Sequence, residues 1–360
     1  MRSRRLNIRV MWGLVLVVSM ALSMTLWAAQ EAKAAAEGEL QFANLGDLQL
    51  KLGGVIPDCQ IGYRTLGTLN ADKSNVVLWP TWFSGRTADL LQFIGPDKVV
   101  DPTKYFVVLV DAIGYGVSSS PSNSKTQPGV EFPEYTIRDM VNSQYRLLTE
   151  VLELKSIYAV MGISMGGMQT WEWIVAYPDF MKKAIPTMGT TTQTTYDLLL
   201  WETEHRAIEL ARRMGFPEEA RKDLAATVAG IHQLGLVTPD YHNRVTLAQN
   251  FEHFMKVNDE GFINNFDPLN WASQLRAMMR HNISANVGFS MEKAAAVVKA
   301  KVLVPVSSRD MMVNSGPAKE FAKLIGAEVL DWNSDCGHLS NAICDFESWK
   351  QAVGKFLDNK

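Results

Sequence analysis

Apolar residues along this chain come in two rhythms. Short runs of β-favouring residues recur at Val76 to Trp79, Tyr105 to Asp111, Ile157 to Met161, Ala300 to Val306 and Ala327 to Trp332. Runs that stay apolar at successive positions, rather than alternating, belong to strands covered on both faces. Between them lie stretches of helical periodicity. Thr136 to Leu154 carries Ile137, Met140, Val141, Tyr145 and Leu148 on one face, with Thr136 placed to cap it. Pro317 to Ile325 and the amphipathic Phe346 to Leu357 read the same way. Leu48 to Leu66 and Asn75 to Pro80 are expected as early strands, with Gly53-Gly54 and Leu69 to Asp72 as the turns. Strands alternating with helices of this length predict an α/β fold, with an open, mostly parallel central sheet and helices on both faces.

The alternation runs to Lys183 to Met188 and then stops. From Thr190 to about Ala294 the pattern is helical and rich in Met, Trp and His, as at Leu198 to Trp201, His205 to Ile208 and Ala220 to Ile231. This predicts a helical cap inserted over the strand ends. The expected organisation is a core in two parts, 37–189 and 295–360, around a cap at 190–294.

Residues 1–36 stand apart. Arg2, Arg4, Arg5 and Arg9 make a basic start, Val10 to Ala29 is almost wholly apolar, and Ala32-Lys33-Ala34 and Ala34-Ala35-Ala36 offer small-x-small cleavage sites. These are the three parts of a secretory signal, so the protein is expected to be exported, periplasmic or secreted. The apolar run is near the ~18–20 residues that span a membrane, and an uncleaved anchor is the rival reading.

The 360 residues, 47% of them hydrophobic and 20% charged, can bury a large core. The net charge of -3, from 35 Lys+Arg against 38 Asp+Glu, points to neither a nucleic acid nor an acidic surface as partner. Cys59, Cys336 and Cys344 allow one disulfide at most. Cys336 and Cys344 are close enough to pair, which would brace the loop carrying His338; three buried free thiols is at least as good a reading. With no C-x-x-C and no H-E-x-x-H, no metal site and no cofactor is expected.

The chemistry concentrates at Gly162-Ile163-Ser164-Met165-Gly166, a G-x-S-x-G pattern between a strand and a segment where Met168, Trp171 and Val175 recur at helical spacing. A serine on so tight a turn is exposed, and the helix behind it aims N–H groups at a developing oxyanion. A serine hydroxyl needs a base within hydrogen-bond reach and a carboxylate to hold that base. In this architecture the order is nucleophile, acid, histidine, each after a strand. His205, His232, His242, His253 and His281 fall in the expected cap and are read as packing or pocket-lining residues. Only His338 follows a late strand. Asp310 ends the strand before it and is the favoured acid; Asp335, three residues before His338, reads better as a turn cap. The loop Pro80 to Gly85, containing Trp82 and Phe83, follows an early strand where a second oxyanion donor belongs.

At this point the chain resembles the homoserine O-acetyltransferase branch of the α/β-hydrolase superfamily, from about Ile61 to the end. The resemblance is carried by Tyr63 to Asn70, Asp139 to Val141, Gly162 to Gln169 with Glu172-Trp173 and Tyr177 to Asp179, His205 to Ile208, and Phe266 to Pro268 with Leu275 to Met278. It implies an α/β-hydrolase fold, Ser164 as the acyl-accepting nucleophile with Asp310 and His338, and oxyanion donors at the backbone of Met165 and near Phe83. The resembled enzymes often pair through their caps, so a homodimer formed there is a further expectation. The chain also departs from the family. The cap's substrate-holding arginine and tyrosine have no clear match in Ala229 to Leu236, and Leu339 stands where the family's catalytic histidine is followed by an aspartate. A buried zwitterion without those charges would lose several kcal/mol. Acetyl-CoA is cytoplasmic, so an exported acyltransferase would need another donor. The reading favoured is an exported serine hydrolase of a carboxylic ester or a closely related acyl bond, its partner a small-molecule ester or acyl donor. Transfer of the acyl group to an alcohol is the alternative, and a non-catalytic binding protein of the same fold is the third.

Overall fold

The computed structural model describes residues 37–217 and 220–359. The signal or anchor expected over 1–36 lies outside the described residues. The chain divides after Glu39, and the elements below belong to Leu40 onward.

An eight-stranded sheet forms the centre, in the order β1 (Gln41–Asn44), β4 (Gln60–Leu66), β6 (Phe106–Val110), β5 (Val76–Pro80), β7 (Ile157–Ile163), β8 (Met181–Thr187), β9 (Lys301–Ser307) and β10 (Glu328–Trp332). β2 (Leu48–Gln49) and β3 (Val55–Ile56) make a separate hairpin. β1 and β4 pair antiparallel with their neighbours, and every pairing from β6 to β10 is parallel. Side-chain alternation explains the unbroken apolar runs. Val76 and Leu78 of β5 join the core on one face with Val108 and Val160; Val77 and Trp79 join the other with Leu109 and Met161. Lys183 is the exception in a central strand, only 4% exposed. Its ammonium donates to Tyr158 Oη (2.7 Å) and to the carbonyls of Phe356 (2.8 Å), Leu357 (3.0 Å) and Asn359. That positive charge tethers the C-terminal end of the last helix, where carbonyls lack intrahelical partners.

Among the described residues the α-helices are α1 (Thr87–Leu90), α2 (Ile137–Arg146), α3 (Met165–Ala176), α4 (Thr195–Arg213), α5 (Arg221–Leu236), α6 (Pro239–Val245), α7 (Phe251–Ile263), α8 (Pro268–Met279), α9 (Met291–Val297), α10 (Gly316–Ile325) and α11 (Phe346–Asp358). The helix expected to run from Thr136 to Leu154 is α-helical only to Arg146. It then widens into a π-helical turn, Leu147–Val151, closed by Leu152 N–H to Leu147 O at 3.0 Å. The wide turn keeps successive Leu147 and Leu148 fully buried. Helices α4 to α9 lie between β8 and β9 in sequence. Ser164, Asp310 and His338 follow β7, β9 and β10, so the parallel sheet delivers all three at one edge. Among the described residues no helix is long and apolar enough to cross a membrane.

Candidate active site

Ser164 has φ 57° and ψ -120°, a conformation that costs a non-glycine residue of order 1–3 kcal/mol. The surrounding structure holds it there. Its N–H donates to Thr187 O of β8 at 2.9 Å, and its carbonyl accepts from Met168 N–H at 2.9 Å in the first turn of α3. The glycines of the motif are steric necessities. A Cβ on Gly162 would stand 2.2 Å from Gly166 O, and one on Gly166 would stand 2.7 Å from Pro80 O. Both contacts are with backbone, which cannot step aside.

Asp310 and His338 meet this serine. Ser164 Oγ is 2.9 Å from His338 Nε2, and His338 Nδ1 is 2.7 Å from Asp310 Oδ2. The second oxygen of Asp310 accepts from the N–H groups of Met312 (2.8 Å) and Val313 (2.9 Å). With its proton donated from Nδ1 to the carboxylate, the ring presents Nε2 as an acceptor for the serine hydroxyl. This relay can take a proton from Ser164 and return it.

Asp335 has a different position. Its carboxylate takes the guanidinium of Arg244 at 2.8 Å, and its carbonyl accepts from Thr238 N–H (3.1 Å) and Oγ1 (2.7 Å). Arg309 pairs with Asp240 on the same helix, α6. The loops carrying Asp310 and His338 are therefore both fastened to α6. The cysteine question is answered in the same loop: Cys336 and Cys344 form a disulfide, and Cys59 is free and buried. Among the described residues the cluster with metal-ligand spacing is Asp335, Cys336 and Cys344, whose sulfurs are spent on that bond.

The loop after β5 faces Ser164. Ser84, at φ 58°, donates its N–H to Gln274 Oε1 at 2.9 Å, and Gln274 of α8 is anchored through Ile113 O at 3.1 Å. Asp111 then fixes the start of α1, accepting from Thr87 N–H (2.8 Å) and Oγ1 (2.7 Å). Burial pushes the Asp111 carboxyl up to about 6 despite those bonds. Thr81 and Gly85 N–H groups are bonded to Val110 O and Trp82 O. Among the described residues, the N–H groups of Trp82, Phe83 and Met165 have no protein acceptor. For Met165 that follows from its place at the first position of α3. These are donors free to meet an oxyanion.

A cavity of about 510 Å³ opens over the serine, with Trp82, Phe83, Trp201, Met278, Met312 and Leu339 giving it a mostly apolar wall. His232 of α5 also lines it, and its Nδ1 is 3.0 Å from Oε1 of the fully buried Glu204. The sequence marks His232 only as a packing or pocket-lining residue and does not mark Glu204. Neither sits in a chemistry-bearing spacing, so only the packing of α4 against α5 joins them. His281, by contrast, is enclosed away from this cavity, donating from Nε2 to Thr190 O at 2.9 Å; burial pushes its imidazole down to about 4.

The family model that matches residues 75–289 is that of the alpha/beta hydrolase fold. An ethyl acetate hydrolase of Pseudomonas veronii is 33% identical over 316 residues, 84% of this chain and 90% of its own. A homoserine O-acetyltransferase of Chlorobaculum tepidum is 30% identical over 333 residues, 83% of this chain and 92% of its own. The solved structure of an acetylester hydrolase from Corynebacterium glutamicum superposes with a TM-score of 0.80 at 30% identity, covering 88% of this chain and 96% of that one. The protein therefore belongs to the α/β-hydrolase fold family, in its homoserine O-acetyltransferase-like branch, and is an enzyme of the class that hydrolyses carboxylic esters or transfers their acyl groups.

Proposed function

We propose that the protein is a serine esterase that hydrolyses small carboxylic esters. Ser164 Oγ attacks the ester carbonyl while His338 Nε2 takes its proton. The oxyanion accepts from the N–H groups of Met165 and of Phe83 or Trp82, and Asp310 holds the ring in the required tautomer. His338 then gives the proton to the departing alkoxide. Water attacks the acyl-enzyme with His338 again as base, and the carboxylic acid leaves as Ser164 regains its proton. The observation that carries this reading is the hydrogen-bonded series Ser164–His338–Asp310 beneath an apolar cavity. The cavity is of a size for a small ligand, and the names of the ethyl acetate and acetylester hydrolases support an acetyl or similarly small acyl group.

Acyl transfer to an alcohol uses the same acyl-enzyme and differs only in what resolves it. Leu339 on the cavity wall, in place of a carboxylate, favours water over an amino acid acceptor. The test is to supply ethyl acetate with added homoserine and quantify free acetate against acetylated acceptor. Acetate as the main product, lost in Ser164→Ala, supports hydrolysis; acetylated acceptor as the main product overturns it. Export through residues 1–36 belongs to the same proposal, checked by the N-terminus of the mature chain. So does pairing through the cap, supported by exposed Leu199, Leu210, Leu234 and Phe251 on its helices, and checked by molecular mass in solution.

A further inference from the structure

Besides His338, which Asp310 orients, the wall of the active-site cavity carries a second side chain whose orientation is fixed by a buried charge-bearing group. Glu204, on α4, is 0% exposed, and a carboxylate so buried has to be paired by donors. Both its oxygens are used: Oε2 accepts from Trp271 Nε1–H of α8 at 2.9 Å, and Oε1 from His232 Nδ1–H of α5 at 3.0 Å. Three cap helices thus converge on one carboxylate. The His232 ring is further held by aromatic faces, with its centroid 5.1 Å from Trp271 and 5.8 Å from Phe83. Phe83 lies in the loop that faces Ser164 and lines the same cavity. The ring cannot rotate without breaking its bond to Glu204. Its remaining polar atom, Nε2, has no hydrogen-bond partner among the described residues, and the side chain keeps 17% of its surface open.

Such an imidazole is not needed to hold the cap together, since a leucine or phenylalanine would fill the space without calling for a buried carboxylate. Of the other polar lining residues, Gln92 donates its amide to Asp89 O, and Asn341 holds a buried Nδ2 donor without a partner among the described residues. A ring whose Nδ1–H is committed to Glu204 offers one thing to the cavity, a lone pair at Nε2 that accepts from a hydroxyl.

We propose that His232, positioned by Glu204, is the specificity residue of this cavity. Its Nε2 accepts a hydrogen bond from a free hydroxyl on the substrate, so the preferred substrates are small esters that carry one. The inference rests on the esterase reading and deepens it. The hydroxyl can belong to the alcohol half, as in a diol monoester, or to the acyl half, as in a hydroxy acid ester. The bond is remote from the reacting carbonyl and forms in the ground state and the transition state alike, so it acts on KM more than on kcat.

The test compares kcat/KM of the full protein for 2-hydroxyethyl acetate, ethyl glycolate and 2-methoxyethyl acetate, each as a ratio to that enzyme's own rate with ethyl acetate. A single neutral hydrogen bond corresponds to roughly tenfold. The wild type is expected to favour one hydroxy ester by about that factor, chiefly through KM, and which one it favours identifies the half that carries the hydroxyl. The methoxy ester, which accepts but cannot donate, should show a ratio near one. In His232→Phe the hydroxy-ester ratio should fall to near one, and in His232→Gln, which keeps a polar end, it should fall only in part. Hydrolysis of every ester at ratios near one overturns the inference and leaves the esterase reading standing. An equal preference for the methoxy ester, or a ratio that survives both substitutions, overturns it too. Failure on all four esters overturns the esterase reading and this inference with it.

Discussion

Asp310→Asn is the substitution whose consequence the geometry fixes most tightly. Asparagine has the same shape, so the fold should survive, but its two ends are no longer equivalent. One oxygen of Asp310 accepts from two backbone N–H groups, Met312 at 2.8 Å and Val313 at 2.9 Å, while the other accepts from His338 Nδ1–H at 2.7 Å. The asparagine carbonyl must face the two N–H groups. Turning the amide to set NH2 against them would leave two buried donors unpaired, at about 1–3 kcal/mol each. The NH2 group therefore faces His338, and Nδ1 must accept rather than donate. The proton moves to Nε2, the atom 2.9 Å from Ser164 Oγ, and the base can no longer accept from the nucleophile. A histidine held in the wrong tautomer in such a relay costs on the order of 10⁴ in kcat, which is about 5 kcal/mol of barrier. The assay is hydrolysis of p-nitrophenyl acetate followed by absorbance, with a thermal melt beside it. The expected result is a fall in kcat of that order with KM within a few-fold and the melt nearly unchanged. A variant that keeps kcat within tenfold of wild type would refute the tautomer argument and Asp310 as the orienting acid.

Two other perturbations test the frame around the site. The Cys336–Cys344 bond, across 8 positions, closes a loop that contains His338, and the loop-entropy account assigns so short a ring roughly 2.5 kcal/mol. Cys336→Ser with Cys344→Ser should lower urea stability by about that amount and kcat by roughly tenfold through looser placement of His338; an unchanged kcat would mean that the α6 contacts alone hold the loop. His281 contributes stability with a definite pH sense. Its folded pKa of about 4 lies below the ordinary 6.5, so the folded state takes no proton where the unfolded chain does, and stability is lost as pH falls from 6.5 towards 4. The loss at pH 5 is roughly 2 kcal/mol. Urea melts at pH 7 and pH 5 should show that loss shrinking in His281→Gln, and an identical loss in the variant would contradict it.

The sheet and the meeting of Ser164, His338 and Asp310 were legible because each leaves a mark along the chain. Central strands are buried on both faces, so Val76 to Trp79 and Ile157 to Met161 read as runs without any knowledge of their neighbours. The serine sits in a motif whose glycines answer close backbone contacts, Gly162 against Gly166 within the motif and Gly166 against Pro80 at the end of β5. His338 and Asp310 could be found because chain order and strand ends restrict where a partner can stand. What stayed hidden depends on long-range approach. Nothing near Glu204 in sequence reveals that Trp271 and His232 will close on its two oxygens. The fastening of the Asp310 and His338 loops to α6 through Arg309–Asp240 and Thr238–Asp335 is equally invisible before folding. The π-helical turn after Arg146 was missed for a different reason: the apolar face is continuous through it, and only the hydrogen bonds change.

The most direct test of the central claim is peptide mass spectrometry on protein quenched soon after mixing with p-nitrophenyl acetate, with released acetate measured from the same sample. One acetyl group is expected on the peptide containing Ser164, turning over to free acetate, and neither in Ser164→Ala. Acetate released by Ser164→Ala at the wild-type rate, or a stable acetyl group on another residue, would contradict it.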